Sequence, residues 1–283
     1  MANSSVSQVK TNECFPRTKE LPKQSPMFWV NQKDRYLRQL LIQDIEEITE
    51  RELIVYFTNS EFPGSINPDD TNYFADLIAG CAGKKIDLMI ETPGGFTWAA
   101  QSIISLLTNF TNDLRVIVTN NAKSNGTLIA LAAHEIIMGV TSELGPFDPS
   151  IPINNQPVPA HYILNAPNVF DAITYQAADS TVKQTVMIAK QLLATHLPNP
   201  NQTKIDEIVE ALSSKNKYPD HASVINFQEA HTLGLQVTYL QPDDELWQRL
   251  WLLHCMMSYD AKLHKYSKIF EGRKVSSAIA ASN

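Results

Sequence analysis

The chain has 283 residues, of which 43% are hydrophobic, and a formal net charge of −7 at pH 7. This length and apolar content suffice for one large globular domain, and the acidic balance disfavours non-specific binding to nucleic acid or anionic membranes. The three cysteines, Cys14, Cys81 and Cys255, have neither disulfide-framework nor metal-ligand spacing, so we expect a reducing, cytoplasmic location and no metal site. No apolar stretch has the length of a membrane span, and we expect neither a span nor secretion.

The sequence predicts a polar arm followed by alternating helices and strands. Residues 1–33 lack sustained periodicity and are expected to form a flexible N-terminal arm. Apolar residues at helical spacing predict a helix over 35–49. Strands are then predicted over 52–57, 85–91, 114–119 and 135–138, with intervening helices that start at the capping Asp70, at Ala99 and at Thr127. This alternation is typical of βα units with mostly parallel pairing.

The pattern changes after Gly139. Prolines and asparagines over 144–159 predict a long surface excursion, because proline continues neither a helix nor a central strand. Helices are predicted over 172–197, 203–212 and 227–233, and a strand over 235–240. Residues 34–242 are therefore expected to form one domain, residues 243–272 an apolar C-terminal helix and residues 273–283 a disordered tail.

Two predicted junctions between a strand and a helix carry the candidate chemistry. Ser124 occupies one of them, where a serine can act as a nucleophile. Gly94 and Gly95 occupy the other, and paired glycines leave backbone N–H groups uncovered, as an oxyanion hole requires. The residues alone leave two alternatives open: a helix-capping role for Ser124, and a tight turn without catalytic function for the glycines.

Four segments have the composition, order and spacing of a known group of proteins. They are IDLMIETPGG (86–95), AKSNGTLIALAA (122–133), SELGPFDP (142–149) and EAHTLGL (229–235). The first three resemble the serine dehydrogenase proteinase family of the Clp protease and crotonase superfamily, and the fourth is similar to a terminal helix-turn-strand element of that superfamily. The resemblance implies an α/β fold, a ClpP/crotonase-like spiral of ββα units with a mostly parallel sheet, here with a C-terminal helical extension.

The resemblance also implies a serine peptidase that forms an acyl-enzyme on Ser124. The oxyanion hole would consist of backbone N–H groups of Gly95, or Gly94, and of Asn125. The expected substrate is a peptide or an unfolded protein, and the expected assembly is a homo-oligomer, a trimer or a hexamer. We expect no cofactor, since no G-x-G-x-x-G motif follows a predicted strand.

The general base is less clearly marked than the nucleophile. At the superfamily's histidine position this chain has Asp148, and at the position of the triad's aspartate it has His221, as if the two had exchanged places. Because triads depend on geometry and not on chain order, Ser124, His221 and Asp148 are a candidate triad. Alternatively, Asp148 is a turn residue without catalytic function and His221 is an exposed loop histidine. A Ser–Lys dyad would instead use Lys183 or Lys190 on the predicted long helix.

Two other functions compete with peptide hydrolysis. An inactive scaffold or peptide-binding oligomer is suggested by Lys123, a charged neighbour of Ser124, and by the missing histidine at its usual position. A crotonase-type acyl-CoA enzyme would need an acid, for which Glu135 and Glu143 are the nearby candidates. The apolar stripe that contains Trp247 is expected either to pack on its own domain or to form a subunit interface.

Overall fold

A computed structural model describes residues 25–59, 61–62, 64–154 and 156–281. The strands are β1 (Glu52–Thr58), β2 (Ile86–Thr92), β3 (Leu114–Ala122), β4 (Glu135–Met138), β5 (Glu143–Leu144), β6 (Ser150–Ile153), β7 (Gln156–Pro159), β8 (Val237–Tyr239), β9 (Tyr266–Gly272) and β10 (Ser276–Ala280). The helices are α1 (Pro26–Asn31), α2 (Lys33–Thr49), α3 (Asp70–Ile78), α4 (Thr97–Phe110), α5 (Asn125–Ala130), α6 (Ala160–Leu164), α7 (Ala172–His196), α8 (Gln202–Ser213), α9 (Phe227–Leu233) and α10 (Glu245–His264).

The core of the fold is an eight-stranded, mostly parallel sheet with the order β10-β9-β1-β2-β3-β4-β8, in which β5 pairs with the end of β3. Strands β1, β2, β3, β4 and β8 run parallel, whereas β9 is antiparallel to both β1 and β10. Every residue of β2 is buried, as in a parallel strand covered by helices on both faces. The predicted α/β fold is confirmed. The predicted excursion contains a separate hairpin of β6 and β7.

Alternate residues of each strand contribute to two hydrophobic cores on opposite faces of the sheet. Leu88 packs with side chains of α3, α4 and α5 on what we call the front face. Met89, the next residue, packs with side chains of α2 and α10 on the back face. Helix α5 follows β3 directly, so the turn between them lies at the carboxyl edge of the sheet, where parallel α/β folds build their sites.

Strand β3 is longer than predicted and organises this carboxyl edge. Beyond its pairing with β4 it continues to Ala122, which pairs with Leu144 of β5. Leu144 in turn forms an antiparallel bridge with Ile225. The chain segments that follow Ala122 and Leu144 and that precede Ile225 are thereby brought side by side, although they are distant in sequence.

Both ends of the chain correct the sequence prediction. The predicted helix over 243–272 ends at His264, where Lys265 adopts a left-handed conformation, and Tyr266–Gly272 forms β9 instead. The predicted disordered tail contains β10, and residues 26–31 of the predicted flexible arm form α1; residues 1–24 of that arm lie outside the described part of the chain. The C-terminal strands exist because β9 hydrogen-bonds to β1, a long-range contact that local periodicity cannot reveal.

The apolar stripe of α10 packs on its own domain. Trp247, Leu250, Leu253 and Met257 are buried, the last three against the back face of the sheet. Trp247 lies so close to Gly139 that a Cβ on this glycine would be 2.4 Å from the indole ring. Within the described residues, no helix is both long and apolar enough to cross a membrane.

Candidate active site

Ser124 occupies a strained turn between β3 and α5. Its backbone has φ 53° and ψ −120°, a conformation that residues with a side chain rarely adopt. The Ser124 side chain makes no capping hydrogen bond, and the Thr127 N–H donates to the Ser124 carbonyl oxygen at 2.9 Å. The helix-capping alternative for the Ser124 hydroxyl therefore does not hold. Such a turn holds a serine hydroxyl free of its own helix, as a nucleophile requires.

The Pro-Gly-Gly turn after β2 lies directly against Ser124. A Cβ added to Gly94 would be 2.7 Å from Ser124 Cβ and 3.1 Å from Ser124 Oγ. Gly94 also has φ 103° and Gly95 has φ 157°, both outside the range that side chains favour. The Lys123 N–H donates to the Thr92 carbonyl oxygen at 2.9 Å and ties the two turns together. Here glycine is required both by the backbone and by contact with the candidate nucleophile.

The hydrogen bonds around Gly95 determine where its amide points. Ile66 bonds to the two neighbours of Gly95: its N–H donates to the Gly94 carbonyl at 2.7 Å, and its carbonyl accepts from the Phe96 N–H at 2.9 Å. The N–H and C=O of Gly95 itself lie on the opposite side of this segment. On that side, Asn125 Nδ2 donates to the Gly95 carbonyl at 2.6 Å. The Gly95 N–H therefore faces the Ser124 turn.

The two other candidate oxyanion amides are not equivalent. The Gly94 N–H donates to Thr92 Oγ1 at 3.2 Å and is thus already engaged. Asn125 is the first residue of α5, and the first N–H groups of a helix have no acceptor within it. The amides of Gly95 and Asn125 therefore remain the candidate pair for binding an oxyanion.

Asp148 and His221 form a hydrogen-bonded pair. The distance from His221 Nδ1 to Asp148 Oδ1 is 2.8 Å, and Lys215 Nζ lies 2.6 Å from Asp148 Oδ2. Burial raises the pKa of Asp148, but the hydrogen bond from His221 and the positive charge of Lys215 together outweigh it and hold this pKa below its usual value. Because a carboxylate only accepts hydrogen bonds, Nδ1 of the neutral ring carries the proton and Nε2 is the basic nitrogen. The predicted partnership of these two residues thus has the geometry of a carboxylate that orients an imidazole base.

Contacts of the Ser124 turn hold the segments that carry this pair. Thr127 Oγ1 donates to the Gly145 carbonyl at 2.8 Å and fixes the segment leading to Asp148. Lys123 Nζ donates to the Ser223 carbonyl at 3.3 Å and pairs with Glu143 Oε2 at 2.8 Å, which fixes the loop of His221 against β5. The lysine beside the serine points away from the hydroxyl, as strand alternation predicted, and ties together the segments around it.

The two alternative lysine bases have different surroundings. Lys183 is largely exposed and pairs with Asp179 at 2.7 Å, and Lys190 pairs with Asp206 at 2.6 Å. The turn of α7 that follows Lys190 lines one cavity together with Leu114, at the amino end of β3 and thus at the opposite edge from Ser124. A lysine base needs a buried site that disfavours its charge, and neither residue has one.

The sequence drew attention to neither Lys215 nor the side chain of Asn125. Asn125 Nδ2 also lies 3.2 Å from Thr97 Oγ1, so this side chain fastens the start of α4 and the Gly95 turn to the serine turn. Because Asn125 directly follows the candidate nucleophile, its amide side chain could have been predicted from the sequence to lie at the site. Lys215 gives no such signal, because only the folding of its loop brings it to Asp148.

A buried carboxyl group, that of Glu91, connects β2 to β3 at the carboxyl edge of the sheet. Glu91, near the end of β2, accepts hydrogen bonds from the side chain of Asn120 at 3.0 Å and from the N–H of Asn121 at 3.1 Å. Burial raises the pKa of Glu91 to about 7. With Pro93 and Asn121 it lines a pocket of about 270 Å³ next to the Pro-Gly-Gly turn.

Within the described part of the chain, one group of side chains has the spacing of metal ligands. Carboxylate oxygens of Asp34 and Asp260 and a ring nitrogen of His264 all lie within 4.8 Å of one another. Arg38 already forms an ion pair with Asp260, and the group belongs to α2 and α10 on the back face. It is separate from the Ser124 edge.

Comparison with known proteins identifies a family and several similar chains. Residues 66–264 match the family of ClpP-like SDH-type serine proteinases. Two proteins of Methanocaldococcus jannaschii are similar: the uncharacterized protein MJ0137 is 33% identical over 187 residues, 62% of this chain and 61% of that protein. The uncharacterized protein MJ1495 is 47% identical over 66 residues, 23% of each chain. The chain thus spans less than two thirds of these curated relatives.

Two solved structures are also similar, both of mutants of the 1510-N membrane-bound stomatin-specific protease. The first is 19% identical, covers 66% of this chain and 80% of that chain, and has a TM-score of 0.45. The second, in complex with a substrate peptide, is 16% identical, covers 78% of this chain and 85% of that chain, and has a TM-score of 0.44. The extent of the family match, joined to a mostly parallel sheet with paired turns at its carboxyl edge, leads to one conclusion: this chain belongs to the ClpP-like SDH-type serine proteinase family.

Proposed function

We propose that this protein is a serine peptidase that hydrolyses peptide bonds through an acyl-enzyme on Ser124. The observation that carries the proposal is the contact between the two turns: the position of a Gly94 Cβ would be 3.1 Å from Ser124 Oγ. This contact puts a free serine hydroxyl beside the outward-facing amide of Gly95 and the first amide of α5. Nucleophile and oxyanion donors on adjoining rigid elements are the arrangement that acyl transfer needs.

In the proposed reaction, His221 is the general base and Asp148 orients it. Nε2 of His221 takes the proton of the Ser124 hydroxyl as its oxygen attacks the scissile carbonyl. The resulting oxyanion is bound by the N–H groups of Gly95 and Asn125. The imidazolium then gives its proton to the leaving amine, and a water molecule, deprotonated by the same ring, hydrolyses the acyl-enzyme. The buried Asp148 carboxylate keeps Nδ1 protonated throughout.

The surface beside the turns favours an extended peptide or an unfolded protein as substrate. Phe96 and Trp98, which follow Gly95 directly, are more than half exposed, with ring centroids 6.4 Å apart. Exposed aromatic side chains next to a catalytic turn offer apolar contact to a bound peptide. We propose a cytoplasmic location, consistent with the free thiols of Cys81 and Cys255, and a homo-oligomer, a trimer or a hexamer.

Labelling with a fluorophosphonate tests the nucleophile. We expect the wild-type protein to be labelled and to cleave a fluorescently labelled unfolded protein. The Ser124→Ala variant should lose both activities. Ser102→Ala is the matched control, since the Ser102 hydroxyl donates to the Trp98 carbonyl on the surface of α4. Undiminished labelling and cleavage by Ser124→Ala would rule the proposal out.

The competing functions receive less support from the contacts. Lys123, which suggested an inactive scaffold, is bonded to Glu143 and to the loop of His221 and leaves the serine accessible. For a crotonase-type enzyme, Glu143 is occupied by that ion pair, and Glu135 lies at the amino end of β4, away from Ser124. An absence of turnover with intact peptide binding would favour the scaffold, and calorimetric binding of a CoA ester would favour the crotonase reaction.

A further inference from the structure

A buried ion pair lies beneath the Pro-Gly-Gly turn. Lys268 Nζ is 2.7 Å from Asp70 Oδ1 and 2.9 Å from Asp70 Oδ2, and both residues are almost fully buried. Lys268 comes from β9, where it lies opposite Thr58 of β1. Asp70 is the first residue of α3 and was predicted to cap that helix; instead its carboxylate points into the core. Because desolvation offsets most of the attraction in a buried pair, stability alone is a weak reason for its presence.

The side chains of Tyr56 and Thr92 lead from this pair to the Gly94 amide. The Tyr56 hydroxyl donates to Asp70 Oδ2 at 2.8 Å, and its oxygen remains able to accept the hydroxyl hydrogen of Thr92, which lies close enough to interact with it. Thr92 Oγ1 in turn accepts a hydrogen bond from the Gly94 N–H at 3.2 Å. A hydrogen donated by Thr92 to Tyr56, and by Tyr56 to Asp70, would orient both hydroxyl groups towards the negatively charged carboxylate.

A second connection reaches the other side of the turn. The Asn67 N–H donates to Asp70 Oδ2 at 3.0 Å and anchors the loop before α3. Ile66, the preceding residue, makes the backbone bonds that flank Gly95. Its backbone is so close that a Cβ on Gly95 would be 2.2 Å from the Ile66 carbonyl oxygen. Both connections thus start at one carboxylate and end on the two sides of the same turn.

We infer that Asp70 and Lys268 are positioning residues of the oxyanion hole. They act through Tyr56 and Thr92 on the Gly94 amide and through the Ile66 segment on Gly95. Engaging the Gly94 N–H from behind leaves the Gly95 N–H as the amide that faces Ser124. Strand β9, outside the family match, thereby becomes a part of the catalytic architecture, because without Lys268 the Asp70 carboxylate would be a buried, uncompensated charge. This inference rests on the proposed peptidase function.

The test uses Tyr56→Phe, which removes one hydroxyl and conserves the ring, together with Lys268→Met. Glu271→Gln is the matched control, since Glu271 lies on the same strand and its buried ion pair with Arg38, 2.7 Å long, does not reach the turn. A misplaced donor weakens transition-state binding more than substrate binding. For Tyr56→Phe we expect kcat to fall about 10-fold with KM within about twofold, and inhibition by a peptide aldehyde, whose adduct carries an oxyanion, to weaken about 10-fold.

Backbone hydrogen exchange provides a readout that does not depend on activity. In full-length Tyr56→Phe, the amides of residues 94–96 should exchange at least about 10-fold faster than in the wild type, while β3 and α10 keep their protection. Lys268→Met should accelerate exchange of the same amides even more. Glu271→Gln should lower the melting temperature without accelerating exchange at residues 94–96. Wild-type exchange and kinetics in Tyr56→Phe would overturn the positioning role. A wild-type protein that neither cleaves peptides nor binds the aldehyde would instead refute the proposed function, and the exchange pattern would still decide whether the network holds the turn.

Discussion

Replacing Glu91 by glutamine should change how the stability of this protein depends on pH. Glu91 is 5% exposed, and the donors it binds, on Asn120 and Asn121, are neutral. The nearest basic side chain is His254, whose Nδ1 is 3.8 Å from Glu91 Oε2. Burial lowers the pKa of His254 to about 4, so this ring is uncharged at neutral pH. Among the residues that the structure describes, no cation therefore lies beside the Glu91 carboxylate to offset its desolvation.

The magnitude follows from the pKa of Glu91, which burial raises from 4.5 to about 7. Each pKa unit corresponds to about 1.4 kcal/mol, so ionised Glu91 costs the folded state about 3 kcal/mol. Between these two pKa values the folded state retains a proton that the unfolded state has lost. The contribution of Glu91 to the free energy of unfolding therefore falls as the pH rises from about 4.5 to about 7, and stays low above that.

Chemical denaturation of wild type and Glu91→Gln at pH 5, 6, 7 and 8 measures this contribution. Glutamine keeps the shape and stays neutral, so the variant should be about 1 kcal/mol more stable than the wild type at pH 5 and about 3 kcal/mol more stable at pH 8. Glu207→Gln, an exposed substitution on α8, controls for the change in net charge. A difference between wild type and Glu91→Gln that stays constant from pH 5 to pH 8 would refute the reasoning.

Two further substitutions address the site directly. Gly94→Ala introduces a Cβ 2.7 Å from Ser124 Cβ at φ 103°, so peptide hydrolysis should fall by about 10²-fold or more. The control Gly80→Ala has open space around it and should leave hydrolysis unchanged. A fully active Gly94→Ala enzyme would contradict the close contact of the two turns. His221→Ala should lower kcat by about 10³-fold with the fold intact, and His231→Ala, on the exposed surface of α9, should leave kcat unchanged. Equal activity of the two histidine variants would remove His221 from the mechanism.

Local sequence patterns were sufficient for the core of the domain. The strands of the parallel sheet are apolar runs, and the helices between them have apolar residues at helical spacing, so both are marked within about ten residues of chain. The serine turn and the Pro-Gly-Gly turn were visible for the same reason, since glycine and proline act on the backbone at the place where they occur. That the two turns touch also follows from the sequence, because neighbouring parallel strands end at one edge of a sheet.

What the sequence by itself determined, then, is the βα alternation, the candidate nucleophile and the turn that faces it. Only the tertiary structure decided which partners surround them. The pairing of His221 with Asp148 depends on the bridge between Leu144 and Ile225, and β9 becomes a strand because β1 offers it hydrogen bonds. The Asp70 carboxylate left its predicted capping position because Lys268, from the far end of the chain, neutralises it in the core. Contacts between residues so distant in sequence have no local signature, since their energies exist only once the chain has closed the loops between them.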